Sequence, residues 1–279
     1  MHTLEERLRH AHTASGEDLW KLIRDPHPQV LLNATLNRNL SGEMALSIAK
    51  KRNIPAEALG FLAADIRFMD NLKLKSAICS NPRTPQRVAF SLLKHLRIFD
   101  LADLTRDQAI SITVRQKIES LVVEKIPSLP SGMKMALSRR ASIRIIISLL
   151  EYGDAQVINA CLDSALITET NLCAFITTPA AGPAVIRAVA GHRKWSLRYL
   201  VKYALIRNQH TPMVHVARLV SDMRTSDLRE LFAYENLSVS ARPHIFSELG
   251  RRGEKSPSSG EEIFEVNDEG LQDISGDVE

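Results

Sequence analysis

Apolar residues recur along this chain at intervals of three and four, the spacing that gathers them on one side of an α-helix. In 85–98, Val88, Ala89, Leu92, Leu93 and Leu96 share a face while Arg87, Lys94 and Arg97 fall elsewhere. In 196–206, Leu197, Leu200, Val201, Ala204 and Leu205 form a similar stripe. Val114, Ile118, Leu121 and Val122 form another. No stretch sustains the period-two alternation of a half-buried strand, and no Asn-Gly or Asp-Gly hairpin turn occurs. The pattern predicts an all-α body.

The stripes repeat. Ala77, Asn81, Pro82, Thr84 and Pro85 align without a gap with Ala204, Asn208, Gln209, Thr211 and Pro212, and weaker copies begin at Ala34 and Ala160. The separations between copies are 43, 83 and 44 residues. The middle one is close to two periods, with the missing copy near Glu119. The unit is therefore about 42 residues, repeated about five times. At its turn, Asn81 is expected in the left-handed conformation that ends a helix, and Pro82 prevents continuation. Thr84 is expected to cap the next helix and Pro85 to occupy its first position. Ser41 and Thr168 take the capping place in the weaker copies. Each unit then reads as a helix, a tight turn and a second helix. One such pair cannot bury its own stripe, so the units must stack, as ten to thirteen helices in a right-handed array.

A unit of this length with paired helices resembles the HEAT and armadillo class of α-solenoids. The turn of Asn81, Pro82, Thr84 and Pro85 also resembles the leucine-rich-repeat-variant and HEAT-like proteins of bacteria. The resemblance covers roughly 20–250. It implies a curved scaffold whose inner helices bind a macromolecule, and it implies no substrate. Some bacterial HEAT-like members are DNA glycosylases, so the resemblance is also compatible with an enzyme.

Charge divides the chain. Its 279 residues carry a net charge of +4, but 253–279 holds one base, Lys255, and nine acids. The body up to 252 therefore carries +12. The composition changes after Gly250, so 1–250 is read as the helical domain and 251–279 as a disordered acidic tail. Ile263, Phe264 and Val266 form an apolar island within it. Cys79, Cys161 and Cys173 lie apart in apolar stretches, which suits free thiols in a reducing compartment. The first residues show no apolar core for secretion, and the most apolar run, 145–150, is too short to span a bilayer. The expected location is cytoplasmic, with no membrane partner.

Sequence motifs for catalysis are missing: no phosphate-binding loop, nucleophile elbow, His-Glu-x-x-His or Cys-x-x-Cys is present. No cofactor or metal is expected. His192, His210 and His215 stand 18 and 5 residues apart, which does not place two on one helical face. The unusual feature is 170–221, which contains no Asp or Glu; the chain average would give about six. The same block carries Arg187, Arg193, Lys194, Arg198, Lys202, Arg207 and Arg218. Such a surface repels itself unless acids from elsewhere, or an external anion, offset it. Lys194, Arg198 and Lys202 form one helical stripe beside Trp195, Tyr199 and Tyr203, with Leu197, Leu200 and Ala204 as the core side. Arg187, Arg193, Lys194, Trp195, Arg198, Tyr199, Lys202 and Tyr203 are thus the candidate binding residues. A second basic cluster, Lys134, Arg139, Arg140 and Arg144, reads as a charged outer face.

Three functions are compatible with these features. The leading one is a non-enzymatic scaffold or adaptor that binds a protein or peptide partner, an acidic segment, through the basic and aromatic face. The second is a nucleic-acid-binding protein, since cations meet phosphate and rings stack on bases. The third is a glycosylase, for which Asp154 and Asp222 are the nearest carboxylates in sequence.

Overall fold

Most of the stripes become short helices. The computed structural model describes residues 3–254 except 236 and 240, and among these are eighteen α-helices and no strand. In order they are α1 (Leu4–Thr13), α2 (Gly16–Ile23), α3 (Pro28–Thr35), α4 (Gly42–Ala49), α5 (Ala56–Ala64), α6 (Leu72–Ser80), α7 (Gln86–Leu93), α8 (Ile98–Leu104) and α9 (Ile112–Lys125). They continue as α10 (Ser131–Arg140), α11 (Ile143–Tyr152), α12 (Ala155–Leu162), α13 (Glu169–Ile176), α14 (Pro183–Gly191), α15 (Tyr199–Arg207), α16 (Met213–Ser221), α17 (Thr225–Ala233) and α18 (Arg242–Arg251). The expected all-α body is present, with more helices than the expected ten to thirteen.

The excess has a simple origin. The matched positions Ala34, Ala77, Ala160 and Ala204 lie on α3, α6, α12 and α15. One interval of about 42 residues therefore spans three helices, not two. Short turns that periodicity alone reads through, such as Lys94 to Arg97 between α7 and α8, divide the longer stripes.

Helices of seven to fourteen residues are marginal alone in water, so packing must hold them. Two interleaved series do so. In one, α1 packs on α3, α3 on α5, α5 on α7, α7 on α9, α9 on α11, and α13 on α15. In the other, α2 packs on α4, and so on through α6, α8, α10, α12 and α14, with α16 on α18. One apolar core runs between them, from Ala11 and Leu19 through Ile48, Ile78, Ile118 and Leu149 to Ile245 and Leu249. The composition boundary after Gly250 falls just inside this body. α18 extends to Arg251, and Glu254 pairs with Arg229 of α17. Residues 255–279, the rest of the acidic segment, lie outside the described residues.

The repeated turn works differently from the expectation. Asn81 is extended, at φ −78° and ψ 124°, and not left-handed. Its side-chain amide donates to the carbonyls of Ala49 (2.7 Å) and Lys51 (2.8 Å), at the end of α4. Its Oδ1 accepts from Arg83 N (3.0 Å). Asn208 repeats this, donating to Ile176 O at the end of α13 (2.7 Å) and accepting from His210 N (2.8 Å). Asn37 does the same, donating to Ala11 O and Ala14 O at the end of α1 and accepting from Asn39 N. The last carbonyls of a helix have no partner within it. Here an asparagine two helices onward supplies one, and its own backbone need not turn left-handed.

Thr84 and Thr211 do not cap the following helices. Their hydroxyls donate backward, to Ile78 O (2.5 Å) and Leu205 O (2.6 Å), closing the helix that precedes the turn. Ser41 and Thr168 do cap as expected, accepting from Met44 N (3.3 Å) and Asn171 N (3.2 Å).

Candidate functional site: a basic and apolar surface before α15

The stretch that should hold one long helix from Lys194 is broken. A single 3-10 turn, Trp195–Leu197, precedes α15, and Arg198 between them is extended. The break reverses the predicted sides. Trp195 is 2% exposed and belongs to the core, whereas Leu197 and Leu200, expected inside, are 73% and 58% exposed. The reversal has a cause in hydrogen bonding. The indole nitrogen donates to Leu162 O at the end of α12 (2.8 Å), the role an asparagine plays elsewhere, and draws the ring inward. Lys194 Nζ stands over the face of the ring, 4.0 Å from its centroid.

Three further candidates are engaged within the protein. Lys202 pairs with Asp222 at 2.7 Å. The Tyr199 hydroxyl donates to Asp227 and accepts from Arg224 N, and the Tyr203 hydroxyl bonds Glu230 at 3.0 Å. Burial, together with these carboxylates, raises both phenols above their ordinary range. Their rings are covered by cations: Arg224 stands over Tyr199, and Arg207 over Tyr203 and Tyr234. Of the acids just past the acid-free block, Asp222 thus neutralises Lys202, and Asp227 and Glu230 hold the two phenols.

Arg187, Arg193 and Arg198 are exposed and have no acidic partner among the described residues. Within 193–200, Arg193, Lys194 and Arg198 are thus exposed beside exposed Leu197 and Leu200, with Arg187 exposed on the preceding α14. Half of the candidate set is therefore exposed, and the other half is committed to the fold. A regular 100° step from Lys194 would place Leu197 and Leu200 in the core; the extended backbone of Arg198 interrupts that step.

The second basic cluster is mostly paired. Lys134 is buried and donates to Tyr152 O (2.9 Å), Arg140 pairs with Asp103, and Arg144 with Glu119 (3.6 Å). Asp154 caps α12 and accepts from Ser131, so both carboxylates considered for glycosyl chemistry already have structural partners. His192 accepts from Lys194 N and stands 3.3 Å from Asp163. Among the described residues no group of three or more His, Cys, Asp or Glu is placed to hold a metal ion. No helix there is long and apolar enough to cross a membrane.

One feature escaped the sequence. The outward stripe of α6, including Lys73 and Ser76, floors a groove of about 910 Å³ between the ends of α4 and α8. Its walls carry Lys50, Arg52 and Arg97 but also Asp70, Asp100 and Asp107, so its charge is nearly balanced. Small and polar residues on a stripe between two apolar ones were the available signal.

Comparison with protein-family models, curated proteins and solved structures finds no match to this chain.

Proposed function

We propose that this protein is a HEAT- or armadillo-like helical-repeat scaffold that binds an acidic, partly apolar protein segment on the surface formed by 193–200 and Arg187. The observation that carries this reading is the pairing of unneutralised Arg187, Arg193 and Arg198 with exposed Leu197 and Leu200. Bare cations favour an anionic ligand, and two leucines beside them favour one with apolar anchors. The packing of helices on their next-but-one neighbours, and the recurrence of the asparagine bond, support the solenoid part of the reading. The scaffold reading ascribes no reaction to the chain.

Nucleic acid is the second reading, supported by the +12 body. It loses the stacking platform that the sequence offered, because Trp195 is buried and Tyr199 and Tyr203 are engaged with acids and cations.

Fluorescence anisotropy separates the two. A labelled peptide alternating acids with Ile, Phe or Val should bind more tightly than poly-glutamate, and both more tightly than random single-stranded or duplex DNA. Arg193→Glu with Arg198→Glu, and separately Leu197→Ser with Leu200→Ser, should weaken the peptide at unchanged helical circular dichroism. DNA binding tighter than the peptide, or a peptide indifferent to both double variants, would overturn the reading.

A further inference from the structure

The end of the described chain is tied to a turn that α15 also contacts. The Arg252 guanidinium donates to Ser221 O (3.0 Å), Met223 O (2.7 Å) and Thr225 Oγ1 (3.3 Å), so it grips the turn between α16 and α17. Tyr199 bonds the same turn through Arg224 N, and Asp227 in the first turn of α17. Between the residues that Arg252 holds sits Asp222, the partner of Lys202. Only one short turn therefore separates Arg252 from α15.

The segment beyond Glu254 has the chemistry the surface lacks. Residues 261–269 contain Glu261, Glu262, Glu265, Asp268 and Glu269 around Ile263, Phe264 and Val266. Ile263 lies nine residues past Glu254, a span of up to about 30 Å when extended, ample to cross one turn and reach Leu197. The balanced groove at α6 offers no comparable complement, since three acids stand in its wall.

We propose that residues 261–269 of this same chain dock on the 193–200 surface. Ile263, Phe264 and Val266 cover Leu197 and Leu200, and the flanking acids meet Arg193, Lys194 and Arg198. The inference rests on the ligand chemistry proposed above and adds its resident occupant: an internal competitor that any external segment must displace. A short tether gives an effective concentration on the order of millimolar. A contact with an intrinsic dissociation constant between that value and a tenth of it weakens an external ligand about 2- to 10-fold.

Two measurements on the full chain test this. In the first, Phe264 is replaced by the photocrosslinker p-benzoylphenylalanine, and the products are mapped by mass spectrometry. At low ionic strength the crosslink should fall within 193–203 of the same chain, and it should vanish with Arg193→Glu and Arg198→Glu while helical content stays constant. Crosslinks elsewhere, between chains, or absent would overturn the proposal. In the second, a labelled synthetic peptide of residues 259–270 is titrated against the parent chain and against Ile263→Ser, Phe264→Ser, Val266→Ser. The triple variant should bind it about 2- to 10-fold more tightly; equal affinities would overturn the proposal. The two readings fail separately. An acidic peptide that binds at 193–200 without any intramolecular crosslink keeps the proposed function and removes the tail. A crosslink at 193–200, with the triple variant binding the 259–270 peptide more tightly than the parent but no other acidic, apolar peptide, keeps the tail and removes the external partner.

Discussion

The indole N–H of Trp195 donates to the carbonyl oxygen of Leu162 at 2.8 Å, joining the turn after α14 to the last residue of α12. Trp195→Phe keeps most of the apolar volume and removes the donor. A buried carbonyl left without its partner should cost about 1–3 kcal/mol. Trp195→Ala adds a cavity, and the total should reach about 3–5 kcal/mol. Urea unfolding followed by circular dichroism measures both. A Trp195→Phe protein as stable as the parent would show that the bond contributes nothing.

Asn81 offers a sharper comparison. Asn81→Ala leaves two carbonyls, Ala49 and Lys51, without their side-chain donor, and should cost about 1–3 kcal/mol. Asn81→Asp should be worse than alanine, because it points a negative charge at both oxygens. Thr84→Val removes one bond to Ile78 O with the shape preserved, and should cost about 1 kcal/mol. Equilibrium unfolding of the three variants should rank them Asp, Ala, Val from least to most stable; the reverse order would mean that the turn is held mainly by Thr84.

The sequence carried the helical class and the positions of the matched turns, because both follow from local spacing. Asn81 and Asn208 stand out for the same reason that they matter, their recurrence at one place in the unit. Their partners could not be read. An amide that bonds a carbonyl some 30 residues earlier leaves no local trace, and the left-handed turn is the nearest local explanation. The site was half legible. The acid-free block is visible as composition, but which of its side chains stay free depends on Asp222, Asp227 and Glu230 reaching back to Lys202, Tyr199 and Tyr203. Leu197 and Leu200 are misplaced by periodicity because one extended residue, Arg198, resets the helical phase.

Burial, with the Arg218 guanidinium nearby, holds the His215 imidazolium below its ordinary 6.5. Between the folded value and 6.5 the unfolded chain binds the proton more readily than the folded one. Stability therefore falls as pH drops through that window and is recovered above it. His215→Gln should flatten this part of the curve. Urea midpoints between pH 5 and 7 provide the check, and parallel slopes in parent and variant would assign the effect to other groups.

The thiols should divide by access. Burial pushes Cys79 and Cys161 up to about 12, so both are protonated and covered at neutral pH. Cys173 is only partly buried. Near pH 8 a disulfide reagent should modify Cys173 first in the native protein, with the other two following only on unfolding. Mass spectrometry of the modified peptides identifies the order, and early labelling of Cys79 would contradict the packing around α6.

The backward bonds from Asn37, Asn81, Trp195, Asn208 and Arg252 mean that the ends of α1, α4, α12 and α13, and the turn between α16 and α17, are not finished by their own residues. Each waits for a donor that arrives about 30 residues later during synthesis. A nascent chain halted between one of these ends and its donor therefore leaves carbonyls there that face water. Protection against amide exchange should accordingly be weakest at the final helices and deepen inward, like a zip that opens from its free end.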